Sequence, residues 1–321
     1  MSYINQRIEF LDLAKGIGII LVVIGHSISS DNLIGKWIYS FHMPLFFLIS
    51  GMCFFEQRYR FFIPFFHKRM KELFLPFVYF TLLLSILSLM IFDDYPIEDL
   101  RYGAPGALWF LNVLFISEII YFYIDKYARI YAANRIILLL LILVISIGLD
   151  KLHIHLIYNL SSVFLAMFFY GIGHSYRSFI IRYVQKISRN KRISLFILIL
   201  FFLVPAIVVF LTDETISCAG NNIPSPLIIF LIMPFMGVFG IFLFTFFIKN
   251  TTFKKILLYL GQNTLIIMCL HMFFIGVSST YLLPYTESQL LYKIGEQLFV
   301  WILVVGSIEL INHKIKFLIG K

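Results

Sequence analysis

The sequence has 321 residues, of which 60% are hydrophobic and only 13% are charged. Soluble domains carry charges on roughly a quarter of their residues, so the composition excludes an ordinary water-soluble protein and indicates lipid as the main solvent. The formal net charge of +9 therefore needs an explanation other than a charged surface in water.

Ten apolar segments follow one another along the chain, most of them within the roughly 17–25 residues that a membrane-spanning helix needs. In hydrocarbon every backbone polar group must be hydrogen-bonded within the protein, and apolar runs without two-residue alternation achieve this as helices. The sequence predicts an all-α polytopic membrane protein, with one integral-membrane domain over 1–321 and about ten transmembrane helices in one bundle. The predicted spans are 12–29, 37–55, 73–92, 107–125, 136–150, 156–174, 193–211, 227–248, 256–276 and 294–312.

The positions of lysine and arginine predict the orientation of these spans. When the N-terminus is placed in the cytoplasm and successive connections alternate sides, every Lys and Arg lies on the inner side except Lys36, Arg101, Lys151 and Lys293. This asymmetry is the positive-inside pattern. It predicts that both termini are cytoplasmic. It also explains the net positive charge by the orientation of the spans and by contact with membrane lipids, so the charge does not indicate nucleic-acid binding.

The first predicted span carries His26 between Gly25 and Ser27. An ionisable side chain inside a membrane is costly and marks a functional site by default. His26 lies eleven residues after Lys15, close to three helical turns, so the two side chains lie within about 20° of each other around the helix axis. We expect this stripe, with a cation at its inner end and an imidazole in its outer half, to face a polar cavity.

The second predicted span places His42 below the outer surface, two residues before Pro44. Proline cannot donate a backbone hydrogen bond to the carbonyl of Ser40, which predicts a local break in the helix beneath His42. The inner connection that follows, EQRYRFFIPFFHKRMKE at 56–72, alternates cations with aromatic residues. This pattern is typical either of contact with anionic lipid headgroups or of a site for a phosphate-rich cytoplasmic ligand.

Later spans add Glu118 within the fourth span, Trp109 at its outer start and His271 near the outer end of the ninth. Three spans thus place histidines at a similar depth on one side. Ordinary interfacial positions would also suit His271 and Trp109. An imidazole can take the proton of an attacking hydroxyl near neutral pH, but the residues alone leave a transferase and a transporter as alternatives. The cysteines show no paired spacing, and we expect neither a disulfide nor a metal site.

Five segments carry a resemblance to a known family. The sequence resembles the integral-membrane acyltransferase 3 family over essentially its whole length, and within that family it is most similar to the fucose 4-O-acetylase-like branch. The segments are EFLDLAKGIGIILVVIGHS (9–27), FHMPLFFLISGMCF (41–54), HKRMKELFLPF (67–77), GALWFL (106–111) and LGQNTLIIMCLH (260–271).

The resemblance implies O-acyl transfer, usually of acetyl from acetyl-CoA, onto a cell-surface or exported carbohydrate by a multi-pass protein of the bacterial cytoplasmic membrane. The family's essential histidine in the first span falls on His26, and its early basic residue on Arg7. The basic residue of its inner loop falls on Lys68 or Arg69, and the resemblance does not choose between them.

The resulting hypothesis has acyl-CoA bound from the cytoplasm, with its thioester reaching up the bundle to His26, which either deprotonates the acceptor hydroxyl or carries the acyl group. The acceptor is a carbohydrate or a lipid-linked glycan. The expected donor-binding residues are Arg7, Lys15, Lys68 and Arg69, and the residues expected on the acceptor side are His42, Glu118, Trp109 and His271, of which His42 and Glu118 are expected to act with His26 in catalysis.

A secondary transporter of a sugar or acidic solute, with buried His and Glu as proton relays, is the alternative. Transporters often contain inverted repeats with matching broken helices. Here only one half of the sequence carries the His–Pro pattern of the second span, so the pattern favours the transferase.

Overall fold

The computed structural model describes residues 8–28, 32–55, 61–92, 105–131, 134–154, 156–212, 217–223, 227–249, 251–282 and 288–321. These residues form thirteen α-helices and no β-strand beyond an isolated bridge between Ser217 and Asn222. The helices are α1 (Glu9–Ser27), α2 (Leu33–Tyr39), α3 (His42–Met52), α4 (Phe62–Arg69), α5 (Leu75–Ile91), α6 (Trp109–Ile130), α7 (Arg135–Lys151), α8 (Ser162–Ser188), α9 (Lys191–Thr212), α10 (Leu227–Thr245), α11 (Thr252–Gln262), α12 (Thr264–Tyr281) and α13 (Gln289–Lys314).

The prediction of an all-helical membrane protein is confirmed. The predicted spans at 136–150, 156–174 and 227–248 correspond to α7, the first half of α8 and α10. None of these three is counted below among the helices long and apolar enough to cross a membrane, so the count of ten stays a prediction. The side of the membrane on which each terminus lies also stays a prediction. Within the described ranges, seven helical stretches are long and apolar enough to cross a membrane: Glu9–Ser27, Leu33–Met52, Phe62–Ile91, Gly106–Ile130, Lys191–Thr212, Thr264–Tyr281 and Gln289–Lys314.

The second span is broken as the proline pattern predicts, but the break lies just before His42 and not beneath it. Helix α2 ends at Tyr39 and α3 begins at His42, because Pro44 has no N–H to offer the carbonyl of Ser40. The Ser40 hydroxyl instead donates to the carbonyl of Trp37 (2.7 Å), and the Phe41 amide donates to that of Ile38 (3.2 Å). The chain therefore turns immediately before His42.

The ninth predicted span, 256–276, is two helices rather than one. Asn263 separates α11 from α12 and has a non-helical backbone conformation (φ −112°, ψ 19°). Its side chain donates to the carbonyl of Tyr259 (2.9 Å) and accepts a hydrogen bond from Asn312 (2.7 Å). An asparagine that bonds to nearby backbone in this way competes with the helical pattern, and the apolar run alone did not indicate it.

Helices α1 and α3 occupy the interior because glycines let other backbones approach them. A Cβ atom at Gly51 of α3 would lie 1.9 Å from the carbonyl oxygen of Tyr170, and one at Gly173 of α8 would lie 2.1 Å from that of Leu48. Helices α1 and α11 make the same kind of contact, at Gly16 and Gly261. Small residues at such crossings are the usual basis of tight helix packing in membranes.

The α3–α8 contact generates a test of the packing. Gly51→Ala should destabilise the protein by about 1–3 kcal/mol, the usual cost of overpacking, because the methyl group meets a backbone carbonyl that cannot rotate away. Gly148→Ala on α7 is the matched control, since nothing lies within 4 Å of its added Cβ and alanine favours a helix by about 1 kcal/mol. Thermal unfolding midpoints in detergent measure both, and equal midpoints would contradict the contact.

Candidate active site

Three histidines from three helices meet at one end of the bundle. The ring of His26 on α1 lies with its centroid 6.2 Å from that of His42 on α3 and 5.2 Å from that of His271 on α12. The three residues, expected to lie at a similar depth, therefore form one side-chain cluster, which we call the histidine cluster.

Two of the three rings are held by their own helices. Nδ1 of His42 lies 3.0 Å from the carbonyl oxygen of Ile38, and Nδ1 of His271 lies 2.8 Å from that of Ile267. A carbonyl only accepts, so each Nδ1 carries the proton, and in a neutral ring the lone pair is on Nε2. Both side chains are buried, and Nε2 of His271 has no hydrogen-bond partner among the described residues.

His26 differs from the other two because its side chain is only partly buried and its partner is a side chain. Its Nδ1 lies 2.8 Å from the hydroxyl oxygen of Tyr39, the last residue of α2. Sequence reasoning missed Tyr39. Its position three residues before His42, at the expected break, was the available signal. Of the three imidazoles, His26 is the one that a substrate can reach most readily.

A cavity of about 250 Å³ opens between the histidine cluster and the other end of α1. Its charged lining residues are Lys15, Arg69, Glu72 and Glu118, and Phe46 and Met268 are among its apolar residues. Phe46 follows His42 by four residues and Met268 precedes His271 by three. The cavity therefore ends one helical turn from the histidine cluster. Lys15 lines it as predicted, whereas His26, expected on the same stripe, does not.

Charged side chains of the cavity are paired with one another. Nε of Arg69 lies 2.9 Å from a carboxylate oxygen of Glu118, and its Nη1 lies 3.0 Å from one of Glu72. Lys15 pairs with Asp12 at 3.0 Å. Lys68 does not line the cavity and lies 3.7 Å from Glu72 with its side chain 41% exposed. Of the two basic residues that the sequence left open, Arg69 lines the cavity and Lys68 does not; which of them binds the donor stays a prediction.

A family model described as an acyltransferase domain matches residues 8–309 of the chain. The protein belongs to the acyltransferase 3 family. No curated protein and no solved structure matches it. The matched range contains both the histidine cluster and the cavity, and with the seven apolar helices it makes the protein a multi-pass membrane acyltransferase. The assignment to the fucose 4-O-acetylase-like branch stays a prediction.

One predicted site residue of the acyltransferase, Glu118, lies elsewhere than expected; the role of Trp109 stays a prediction, and Arg7 cannot be placed. Glu118 was expected beside the histidines but lies in the cavity with Arg69, because nine residues of helix separate it from Trp109, about 13 Å along the axis. The hydroxyl of Tyr170 also donates to it. Trp109 is buried and its indole packs edge-on against Phe110, 6.5 Å between ring centroids. Arg7 lies outside the described residues.

Helix α13 of the acyltransferase holds the end of α1 next to His26. Lys293 donates to the backbone carbonyl of Ser27, and the amide of Gln297 donates to the Ser27 hydroxyl (2.6 Å). Glu296, which is 1% exposed, accepts from Lys293 at 3.4 Å. These residues lie on one face of α13, in the segment KIGEQ (293–297). Their spacing of three and four residues indicates a polar helix face, and sequence reasoning did not use it. We call them the α13 clamp.

No group of three or more His, Cys, Asp or Glu residues in the described part of the chain is arranged to hold a metal ion.

The ion pair between Arg69 and Glu118 generates a test of the cavity. Arg69→Met should destabilise the acyltransferase by about 3–5 kcal/mol, because it leaves a buried carboxylate without its cation. The double variant Arg69→Met with Glu118→Leu should recover much of this loss, since no buried charge remains. Thermal unfolding in detergent compares them, and a double variant no more stable than Arg69→Met would contradict the pairing.

Proposed function

We propose that the protein transfers an acyl group, acetyl in the simplest case, from acyl-CoA to a hydroxyl of a cell-surface or exported carbohydrate or its lipid-linked precursor. Membership of the acyltransferase family supports the transfer of an acyl group. One observation carries the finer assignment: a cavity whose charged end contains Lys15 and Arg69 reaches, at the other end, to within one turn of the histidine cluster.

The cation-lined end of the cavity suits the phosphates of acetyl-CoA. Lys15 and Arg69 line this end beside Glu72 and Glu118, so a donor phosphate would replace a carboxylate as the partner of a cation, and Arg in particular pairs well with phosphate oxygens. Helix α12 begins at Thr264, which also lines the cavity, so the positive end of its helix dipole faces the same space. The orientation predicted from Lys and Arg places this end in the cytoplasm, where acyl-CoA is made, and we expect Arg7 to contribute there as well.

The size of the cavity indicates which part of the donor enters it. A volume of about 250 Å³ is below that of the usual pocket for a drug-sized ligand, about 300–1,000 Å³. It therefore suits the narrow pantetheine arm, with the nucleotide left at the mouth. Lys15 and His26 are eleven residues apart, about 16 Å along the helix, and an extended arm bridges such a distance.

His26 supplies the chemistry at the far end. In direct transfer, Nε2 takes the proton of the acceptor hydroxyl, the oxygen forms a bond to the thioester carbon, the C–S bond breaks, and the proton passes from Nε2 to the sulfur. In the two-step route, Nε2 forms a bond to the acyl carbon as the C–S bond breaks and CoA leaves as the thiolate. The hydroxyl oxygen then forms a bond to the acyl carbon, the N–C bond breaks, and the hydroxyl proton passes to the thiolate sulfur. Both routes yield an ester and CoA thiol.

The acceptor meets His26 from the opposite end of α1. Polar groups of the α13 clamp and Nε2 atoms of His42 and His271 surround that end, and groups of these kinds bind sugar hydroxyls. Donor and acceptor would thus approach through different ends of the bundle. We infer that the acyltransferase works in the bacterial cytoplasmic membrane and modifies glycans of the cell envelope, within the lipid that surrounds its apolar helices.

Replacement of His26 tests the proposal. In membranes given labelled acetyl-CoA, His26→Ala should lower the transfer of label to surface glycans by about 100-fold or more, since an acid–base group contributes about 10²–10⁴-fold. His153→Asn is the control: His153 is exposed and has a positive φ of 53°, which asparagine tolerates, so activity should be unchanged.

Full activity of His26→Ala protein that is present in the membrane would contradict the catalytic role of His26. Uptake of labelled sugar by proteoliposomes, in the absence of any acyl transfer, would instead support the transporter alternative.

A further inference from the structure

Tyr39 is the one side chain seen to bond a ring nitrogen of His26 among the described residues. Its hydroxyl oxygen lies 2.8 Å from Nδ1, and its ring meets those of His26 and His42 edge-on, with centroids 5.4 and 4.9 Å away. Gly25 allows this approach, because a Cβ atom there would lie only 3.1 Å from Ile38 and 3.7 Å from the Tyr39 ring.

The bond to Tyr39 decides which nitrogen of His26 can react. Since Nδ1 faces the phenol, Nε2 is the nitrogen available to substrates. A neutral imidazole has one proton, so Nε2 has a lone pair only when Nδ1 carries that proton and donates it to the phenol oxygen. The reverse arrangement, with the phenol donating to Nδ1, leaves a proton on Nε2 and makes the ring unable to accept another there.

We propose that Tyr39 is a positioning residue for acyl transfer: its oxygen accepts the Nδ1–H of His26, fixes the orientation of the ring and keeps the Nε2 lone pair available. This inference rests on the proposed function. It applies to both routes, because proton removal and attack on the thioester each need that lone pair. Tyr39 itself neither gains nor loses a proton in either route.

A phenol suits this position better than the carboxylate that orients the histidine in serine proteases. An uncompensated carboxylate is expensive inside a membrane, whereas a phenol offers an acceptor oxygen without charge. The buried carboxylates on neighbouring helices are engaged elsewhere, Glu118 with Arg69 and Glu296 with Lys293. Tyr39 therefore orients the ring of His26 without placing an unpaired charge inside the membrane.

Tyr39→Phe removes the oxygen and keeps the ring. With labelled acetyl-CoA, kcat should fall about 10- to 100-fold, as is typical when an outer partner of a functional histidine is lost, while KM for acetyl-CoA stays unchanged because the donor phosphates bind at the other end of the cavity. Tyr127→Phe is the matched control, since Tyr127 is 51% exposed on α6 and should keep full activity.

Nitrogen NMR of histidine-labelled protein in bilayers gives a readout that a loss of packing alone would not produce. The His26 signals are those absent from His26→Asn protein. In the unsubstituted protein they should show a proton on Nδ1, and in Tyr39→Phe protein the population with a proton on Nε2 should rise. If Tyr39→Phe unfolds, the unsubstituted protein alone decides the matter.

A proton on Nε2 of His26 in the unsubstituted protein, or a Tyr39→Phe variant with unaltered kcat, would overturn the role of Tyr39 and leave the proposed function intact. Failure of the unsubstituted protein to transfer acetyl would refute the proposed function, whereas the NMR measurement would still report on the hydrogen bond.

Discussion

The close approach of backbones at four glycines is the constraint on which the rest of the structure depends. Gly51 and Gly173 join α3 to α8, and Gly16 and Gly261 join α1 to α11. These contacts keep α1 and α3 in the interior, where lipid does not reach most of their side chains. Polar groups on such helices must find partners within the protein, and the histidine cluster and the ion pairs of the cavity are the result.

Helix α1 connects two different polar environments. Its Lys15 end lies with cations and carboxylates beside the cavity, and its His26 end lies among imidazoles, a phenol and the α13 clamp. The ring contacts of His26 are with neutral side chains, and the charged residues at that end, Lys293 and Glu296 of the α13 clamp, pair with each other. This division matches a reaction in which an anionic donor approaches from one side and an uncharged hydroxyl from the other, and one rigid helix fixes the distance between them.

Helical geometry alone predicted much of this arrangement. The spacing of Lys15 and His26 placed them on one stripe, and the depths of His42 and His271 placed three histidines together, because rise and rotation per residue are nearly constant. Pro44 predicted a break next to His42 for the equally local reason that it lacks an N–H, although the break lies before that residue and not beneath it.

Contacts between helices that are distant in sequence could not be predicted in the same way. Arg69 and Glu118 are forty-nine residues apart, and their pairing depends on how α4 and α6 pack. Lys293 and Gln297 reach Ser27 from the last helix, and Tyr39 faces His26 only because the chain turns at Ser40 and Phe41. A single sequence gives the face and depth of such residues but not the partner that each one meets.

The most direct measurement is a cryo-EM structure of the acyltransferase with a non-hydrolysable acetyl-CoA analogue. The donor phosphates should lie beside Lys15 and Arg69, with the arm along Phe46 and Met268 and the acyl carbon about 3–4 Å from Nε2 of His26, the separation of a reactive pair. An analogue whose acyl group lies away from His26, or whose phosphates bind at the histidine cluster, would contradict transfer through this cavity.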